Sequence, residues 1–323
     1  MARDRGDRSI VAERLSRHFG DLKAVDEVDL NIGSGRIFGF LGPNGSGKST
    51  TVKMLTTILA PTAGAARVAG FDVIRDQEHV RSRIGVALQE VGLDTLMTAG
   101  ELLRLQSRLF GARPNEARAS ADRLLKTVGL DDVDPKKRVG QYSGGMKRRL
   151  DLALALVNNP EVLFLDEPTT GLDPASRLRI WEEVRRLNAE QGMTIFLTTQ
   201  YLEEADKLAD EVAIIDRGAI VASGSPRALK REIGNDVVTL TFSETAAAER
   251  AAEVLKPSAP DQRLSGRELL CYFSDASGRL PGLIRVLDEA KIPLEGLTVS
   301  EPTLDDVFLR ATGQRMTVEK EGS

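Results

Sequence analysis

Residues Phe38 to Thr50 read FGFLGPNGSGKST. From Gly42 through Gly47 and Lys48 to Ser49, the stretch fits the phosphate-loop spacing G-x-x-x-x-G-K-[ST]. Gly42, Gly45 and Gly47 carry no Cβ, so the backbone N–H groups between them can turn inward onto a polyphosphate. Lys48 is then placed to reach the β and γ phosphates, and the Ser49 hydroxyl suits Mg²⁺, a hard cation that takes oxygen ligands. The flanks agree. Arg36 to Leu41 is a short apolar run, as expected of a buried parallel strand. Val52, Leu55 and Leu59 recur at helical spacing, which predicts a helix whose N-terminus faces the phosphates.

The whole chain has 323 residues, 41% hydrophobic and 28% charged, enough for one large or two medium domains of ordinary globular composition. A net charge of −4 argues against a nucleic-acid coat, which needs a basic face. The single cysteine, Cys271, excludes an internal disulfide framework, and its neighbours Leu269, Leu270 and Tyr272 predict a buried core thiol. MARDRGDRSI at the start is charged and has no apolar core, so no signal peptide is expected. No run approaches the ~20 apolar residues that cross a bilayer. A membrane role is therefore expected to come through a partner.

Around the phosphate loop, Ile10–Leu15 and Val25–Ile32 alternate like strands on either side of His18-Phe19-Gly20. Phe19 fits either a core aromatic or a platform on which a nucleobase stacks. Ile84–Leu88 predicts a strand ending at Gln89, the position where α/β sheets place ligand contacts. A helical section follows, opened by a capping box at Thr98 and Glu101. Ser143 precedes two glycines and then a helix; it reads as a plain N-cap, or, with Gly144 and Gly145, as bare amides forming a second anion site. Glu161–Leu165 predicts a buried strand ending in Asp166 and Glu167, two carboxylates that need something positive nearby. Beside a phosphate loop, the Asp suits metal support and the Glu suits activation of an attacking water. Asp173 and Pro174 open the next helix, Met193–Thr198 is another buried strand leading to Gln200, and residues 211–222 read as a hairpin. Alternating strands and helices predict a mainly parallel sheet with helices on both faces. Beyond Ile233-Gly234-Asn235-Asp236, a linker by composition, strands and helices predict a small α+β domain with no catalytic constellation. Its helical stripe of Leu304, Val307 and Phe308 reads as core.

Phosphate loop, strand-end glutamine, SGG at a helix start and LFLDEPTTGLD, in that order, resemble the ATP-binding subunits of ABC transporters. TTQYLEEAD (Thr198 to Asp206) and EPTLDDVFLRATG (Glu301 to Gly313) narrow the resemblance to daunorubicin/doxorubicin-resistance exporter ATPases. The resemblance implies a phosphate-loop, RecA-like α/β domain over residues 8–232 with an inserted helical subdomain at about 90–157. An accessory α+β domain over 236–313 and a flexible tail over 314–323 follow. It implies ATP and Mg²⁺ as ligands: Phe19 stacking on adenine, and Gly42 and Asn44, Gly45, Ser46, Gly47, Lys48, Ser49 and Thr50 holding phosphates. Ser49 and Gln89 would coordinate the metal with Asp166 in support, and Glu167 would be the general base. Two copies would sandwich ATP head to tail, with Ser143, Gly144 and Gly145 of one closing the site of the other and Asp173 at their interface. An integral membrane permease would be the partner at the cytoplasmic face of the membrane, and nucleic acid would not. The stretch Gln89 to Met97 is the expected contact, although its apolar Val91, Leu93 and Leu96, without clear periodicity, suit a buried loop as well as a docking surface.

Two departures stand out: Tyr142 and Met146 flank the SGG where the family has Leu and Gln, and Gln200 stands where it has His. An amide can donate to a γ-phosphate but does not titrate near neutrality, so Gln200 is expected to position water while Glu167 activates it. The alternatives are a non-transport ABC-type ATPase acting on ribosomes or DNA, and a weakly catalytic ATP-binding regulator. One cassette without sustained heptads speaks against the former.

Overall fold

The computed structural model describes residues 8–89, 92–234 and 236–313. The charged start, Val91 of the expected docking stretch, Asn235 of the expected linker and the tail from Gln314 lie outside the described residues. The chain opens with β1 (Arg8–Phe19), β2 (Leu22–Gly33), β3 (Ile37–Leu41), α1 (Lys48–Leu55), β4 (Ala63–Val68), β5 (Phe71–Asp72), α2 (Gln77–Arg81) and β6 (Ile84–Ala87). Three helices follow: α3 (Ala99–Leu109), α4 (Pro114–Thr127) and α5 (Gly144–Ala155). Next come β7 (Val162–Asp166), α6 (Pro174–Gln191), β8 (Thr194–Thr199), α7 (Leu202–Leu208), β9 (Glu211–Asp216) and β10 (Ala219–Gly224). The remainder is α8 (Pro226–Ile233), β11 (Asp236–Thr241), α9 (Thr245–Leu255), β12 (Gln262–Ser265), β13 (Glu268–Phe273), α10 (Leu280–Glu289), β14 (Gly296–Ser300) and α11 (Leu304–Thr312). Two compact units divide between Ile220 and Val221.

The first unit is built on a sheet of order β10-β9-β3-β8-β7-β6, in which β9, β3, β8, β7 and β6 pair in parallel. Strands β3, β7 and β8 are buried along their whole length, and alternate residues feed two cores. Leu163, Leu165, Ile195 and Leu197 point to a core shared with α3 to α6, while Phe38, Phe40, Phe164 and Phe196 point to the other. The rings of Phe38, Phe40 and Phe164 all lie 5.5–5.6 Å from that of Phe196, the separation at which aromatic pairs attract. This is the expected α/β class, with one difference. The second face carries α1 and α2 together with a separate antiparallel sheet, β2-β1-β4-β5, rather than helices alone.

Helix ends follow local chemistry. Thr98 and Glu101 form the expected capping box on α3, and the Asp173 carboxylate accepts from the Ser176 amide at 3.0 Å to start α6, with Pro174 in its first turn. Registers Asp166↔Thr198 and Leu41↔Thr199 bring the carboxyl ends of β7, β8 and β3 out at one edge. That edge carries the site.

In the second unit, the sheet β12-β13-β11-β14 is antiparallel, and its residues Val238, Leu240, Leu269, Cys271 and Phe273 share a core with α9 and α10. Cys271 is fully buried, as expected, and burial pushes its thiol up to about 12. Leu304, Val307 and Phe308 are likewise buried.

Candidate functional site

The loop between β3 and α1 can only be built with glycine. A Cβ on Gly42 would lie 2.3 Å from the Ile215 carbonyl, and one on Gly47 would lie 2.4 Å from that of Ala24. Gly47 also sits at φ 109°, a backbone region that L side chains rarely adopt. The chain next to it turns directly into α1, with Thr51 N–H and Oγ1 both donating to the Gly47 carbonyl. Asn44 and Gly45 are exposed at the loop's outer side, Ser49 and Thr50 are half-buried, and Ser46 is buried with its hydroxyl lacking a hydrogen-bond partner. An orphaned hydroxyl and tightly turned amides at a helix N-terminus fit an anion.

Lys48 is 4% exposed and folds back over the loop. Its ammonium donates to the carbonyls of Gly42 at 2.8 Å and Pro43 at 3.1 Å, and faces Glu167 Oε1 at 3.3 Å. Burial pushes the Lys48 ammonium down, and Glu167 and Asp166 oppose that shift. Ser49 Oγ donates to Asp166 Oδ1 at 3.2 Å, so loop and strand end meet directly. The β8 residue Thr198 binds both carboxylate residues. Its hydroxyl donates to Asp166 Oδ1 and accepts the Glu167 N–H at 3.0 Å. Glu167 Oε2 accepts from Thr170 Oγ1 at 3.2 Å, and the residue holds φ 49°.

Gln200, two residues beyond Thr198, is buried, and its Oε1 has no hydrogen-bond partner. Gln89 lies two residues past the end of β6, exposed at the same sheet edge. The other expected residues stand apart from the buried cluster. Phe19 is 46% exposed with the Arg17 guanidinium 4.6 Å from its ring centre, so it is not a core aromatic. Ser143 caps α5, accepting from the Met146 amide at 3.3 Å; Ser143 and Gly144 are exposed, and a Cβ on Gly145 would meet Ser176 Oγ at 2.7 Å. Tyr142 and Met146, which flank the SGG, belong to the helical-layer core rather than to the exposed turn. Asp173 is exposed, and hydrogen bonds from Ser176 hold its carboxyl low.

Three further contributors carry no signal in the sequence. Thr198 is one. Arg148 on α5 is 6% exposed and donates to the carbonyls of Leu88, Asp166 and Pro168 and to Asp151. Glu204 on α7 is fully buried, accepting from Thr169 Oγ1 at 2.9 Å and Trp181 Nε1 at 2.7 Å, and burial pushes its carboxyl up. Each partner is 18 or more residues distant along the chain, apart from Asp151, so spacing gives nothing away.

Residues 25–170 match the family described as ABC transporter, and residues 224–312 match the DrrA1-3-like ATP-binding protein C-terminal domain. The daunorubicin resistance ATP-binding protein DrrA3 of Streptomyces coeruleorubidus is 43% identical over 314 residues, covering 97% of this chain and 99% of that one. The chain belongs to the ABC transporter ATP-binding family. This ABC-type ATPase is also 41% identical to Nod factor export ATP-binding protein I of Burkholderia thailandensis over 310 residues, 94% of this chain and 97% of that one. Among solved structures, a dimeric ATP-binding cassette in a post-hydrolysis state, bound to ADP and phosphate, matches with a TM-score of 0.61 and 26% identity. The match covers 67% of this ABC ATPase and 98% of the solved chain.

Proposed function

We propose that this ABC ATPase hydrolyses ATP to drive export of a drug-like or amphiphilic compound through a separate integral membrane permease at the cytoplasmic face of the membrane. The observation that carries the reading is the junction of buried Lys48, Asp166 and Glu167 with half-buried Ser49, while Ser143 and Gly144 stay exposed on another helix. A cradle and a second anion-binding turn that do not meet within one chain fit a site completed by a second copy. Relatives named for daunorubicin resistance and Nod factor export, and a dimeric cassette among the solved structures, support it.

In this reading the amides from Asn44 to Thr50 and the Lys48 ammonium bind the phosphates, and Phe19 stacks on adenine. Ser49 Oγ, Gln89 and Asp166 form a hard-oxygen set suited to Mg²⁺. Bound there, the metal would neutralise charge on the phosphate oxygens. Glu167 takes the proton of the attacking water, and Gln200, with an acceptor oxygen to spare, orients that water. Ser143, Gly144 and Gly145 of a second copy close over the γ-phosphate, and Asp173 lies where the copies meet. Residues 8–232 carry the ATP-binding work, with the helical part at about 90–157. Residues 236–313 act as an accessory domain that steadies assembly with the permease. Leu96, 71% exposed, is the free apolar contact of the docking stretch, whereas Leu93 and Met97 pack against the helical core. No helix among the described residues is long and apolar enough to cross a membrane.

Mg²⁺-dependent ATP turnover of wild type, Lys48→Ala, Glu167→Gln and Gln200→Ala tests the assignment. Glu167→Gln is expected to lose turnover by roughly 100-fold or more and Gln200→Ala by about 10-fold. Intact turnover in Glu167→Gln with none in Gln200→Ala would reverse the roles. Absent hydrolysis in wild type would favour an ATP-binding regulator instead.

A further inference from the structure

We propose that Arg148 is a positioning residue for hydrolysis: its guanidinium holds the backbone turn that aims Glu167 and ties that turn to the helix bearing the SGG motif. The inference rests on the reading of Glu167 as general base. Glu167 is a non-glycine residue at φ 49°, a conformation that persists only where neighbouring structure enforces it. Thr198 grips its amide from one side. From the other side Arg148 brackets it, Nη2 donating to the Asp166 carbonyl at 2.8 Å and Nε to the Pro168 carbonyl at 3.0 Å. These carbonyls lie on either side of the strained residue. A planar guanidinium presents donors in a fixed fork, so it can hold two carbonyls at a set separation where a lysine cannot.

The remaining donor extends the clamp. Arg148 Nη1 reaches the Leu88 carbonyl, one residue before Gln89, and Asp151 Oδ2 at 3.1 Å one turn along α5. Arg148 is five residues past Ser143, on the helix whose first turn is Gly144-Gly145-Met146. One buried group thus joins the strand-end glutamine, the base and the anion-binding helix. A shift of α5 on closing against a second copy would be felt at Glu167 without any contact between the two motifs. Charge alone does not explain the arrangement, because a counter-ion for Asp151 needs none of the three carbonyls.

The experiment uses the full chain and compares wild type, Arg148→Lys, Glu167→Gln and the double variant. A further variant, Arg148→Met with Asp151→Leu, removes the ion pair without stranding a charge. Arg148→Lys is expected to lower kcat by about 10- to 100-fold, the effect of a small misplacement of a reacting group, with KM for ATP and ADP affinity within about three-fold. Adding Arg148→Lys to Glu167→Gln should change the residual turnover by less than about two-fold, because the aim of that carboxylate is what Arg148 is proposed to set. The folded Met/Leu variant should show the same loss in kcat. Wild-type kcat in Arg148→Lys, additive losses in the double variant, or equal losses in kcat and ADP affinity would each overturn the proposal. Wild-type turnover in Glu167→Gln alone would instead overturn the general-base reading beneath it.

Discussion

The Arg148–Asp151 pair makes a quantitative prediction about stability and pH. Asp151 is 15% exposed at its side chain, and burial pushes its carboxyl from 3.8 up to about 6 even though Arg148 pulls it the other way. A carboxyl whose folded pKa exceeds its unfolded value is held more tightly as the neutral acid in the folded chain. Its contribution to stability is therefore complete below about pH 4 and lost as pH rises through about 6. At about 1.4 kcal/mol per pH unit, ionised Asp151 costs the folded state about 3 kcal/mol at neutral pH. Asp151→Asn removes the ionisation and keeps an oxygen for Arg148. The variant should be more stable than wild type by up to about 3 kcal/mol at about pH 7.5 and by about 1 kcal/mol at about pH 4.5. For a unit of this size, the neutral-pH gain corresponds to a Tm higher by roughly 6–12 °C. Trp181, the single tryptophan and a buried residue of α6, reports unfolding of the first unit by fluorescence. Glu204, also pushed up by burial, cancels in the difference between the two proteins. A variant less stable near neutral pH, or a difference independent of pH, would show that the attraction to Arg148 outweighs burial.

Gly47→Ala, with a Cβ 2.4 Å from a backbone carbonyl, should weaken nucleotide binding by roughly 100-fold or more. Gly45→Ala at φ 77° meets no atom within 4 Å and should cost only about 1–2 kcal/mol of stability. Fluorescent-nucleotide titration separates the two, and equal losses would refute the steric reasoning. Gln200→His should retain turnover and add a step near about pH 6.5 to the pH–rate profile, absent in wild type, because an imidazole titrates there and an amide does not. A chain ending at 234 should keep ATP turnover and lose co-purification with the permease. Ending at 234 should also lower solubility, because α8 packs against α11 within the second unit and its Leu229 and Ile233 would lose that cover. Unaltered co-purification would refute the assembly role.

Features encoded by contiguous residues are legible in the sequence itself. The phosphate loop, the cap at Asp173 and the capping box at Thr98 each depend on backbone groups within a few positions, so composition and spacing carry the whole signal. Phe19 is ambiguous at that level because stacking platform and core aromatic have the same sequence appearance; only its exposure removes the core alternative. Strand β4, Ala-Gly-Ala-Ala-Arg-Val, gives no strand signal because its propensity is poor. Its extended form comes from pairing with β1 in register, Ile10↔Val68 to Glu13↔Ala65. Edge strand β12 and the two-residue β5 are hidden for the same reason. Arg148, Thr198 and Glu204 are invisible in a different sense. Their types are plain, but their partners, Asp151 apart, lie 18 to 60 residues away, and only the alignment of strand ends brings them together.

That alignment also resolves the apparent excess of buried acid. Asp166 and Glu167 are adjacent at the end of one strand, with Asp151 and Glu204 buried or nearly so on the flanking helices. Among the described residues, Lys48 and Arg148 stand against them as buried cations, and each serves a different part of the pair. Lys48 faces the Glu167 carboxylate, while Arg148 binds the carbonyls on either side of it and leaves the carboxylate free. Asp151 and Glu204 are carboxyls that burial drives toward the neutral form, and their hydrogen bonds go to Arg148, Thr169 and Trp181 rather than to the phosphate loop. Charge is thereby concentrated where phosphate chemistry uses it. Under the proposed function, a phosphate in the loop would compete with Glu167 for the same Lys48 ammonium, which faces Glu167 Oε1 at 3.3 Å.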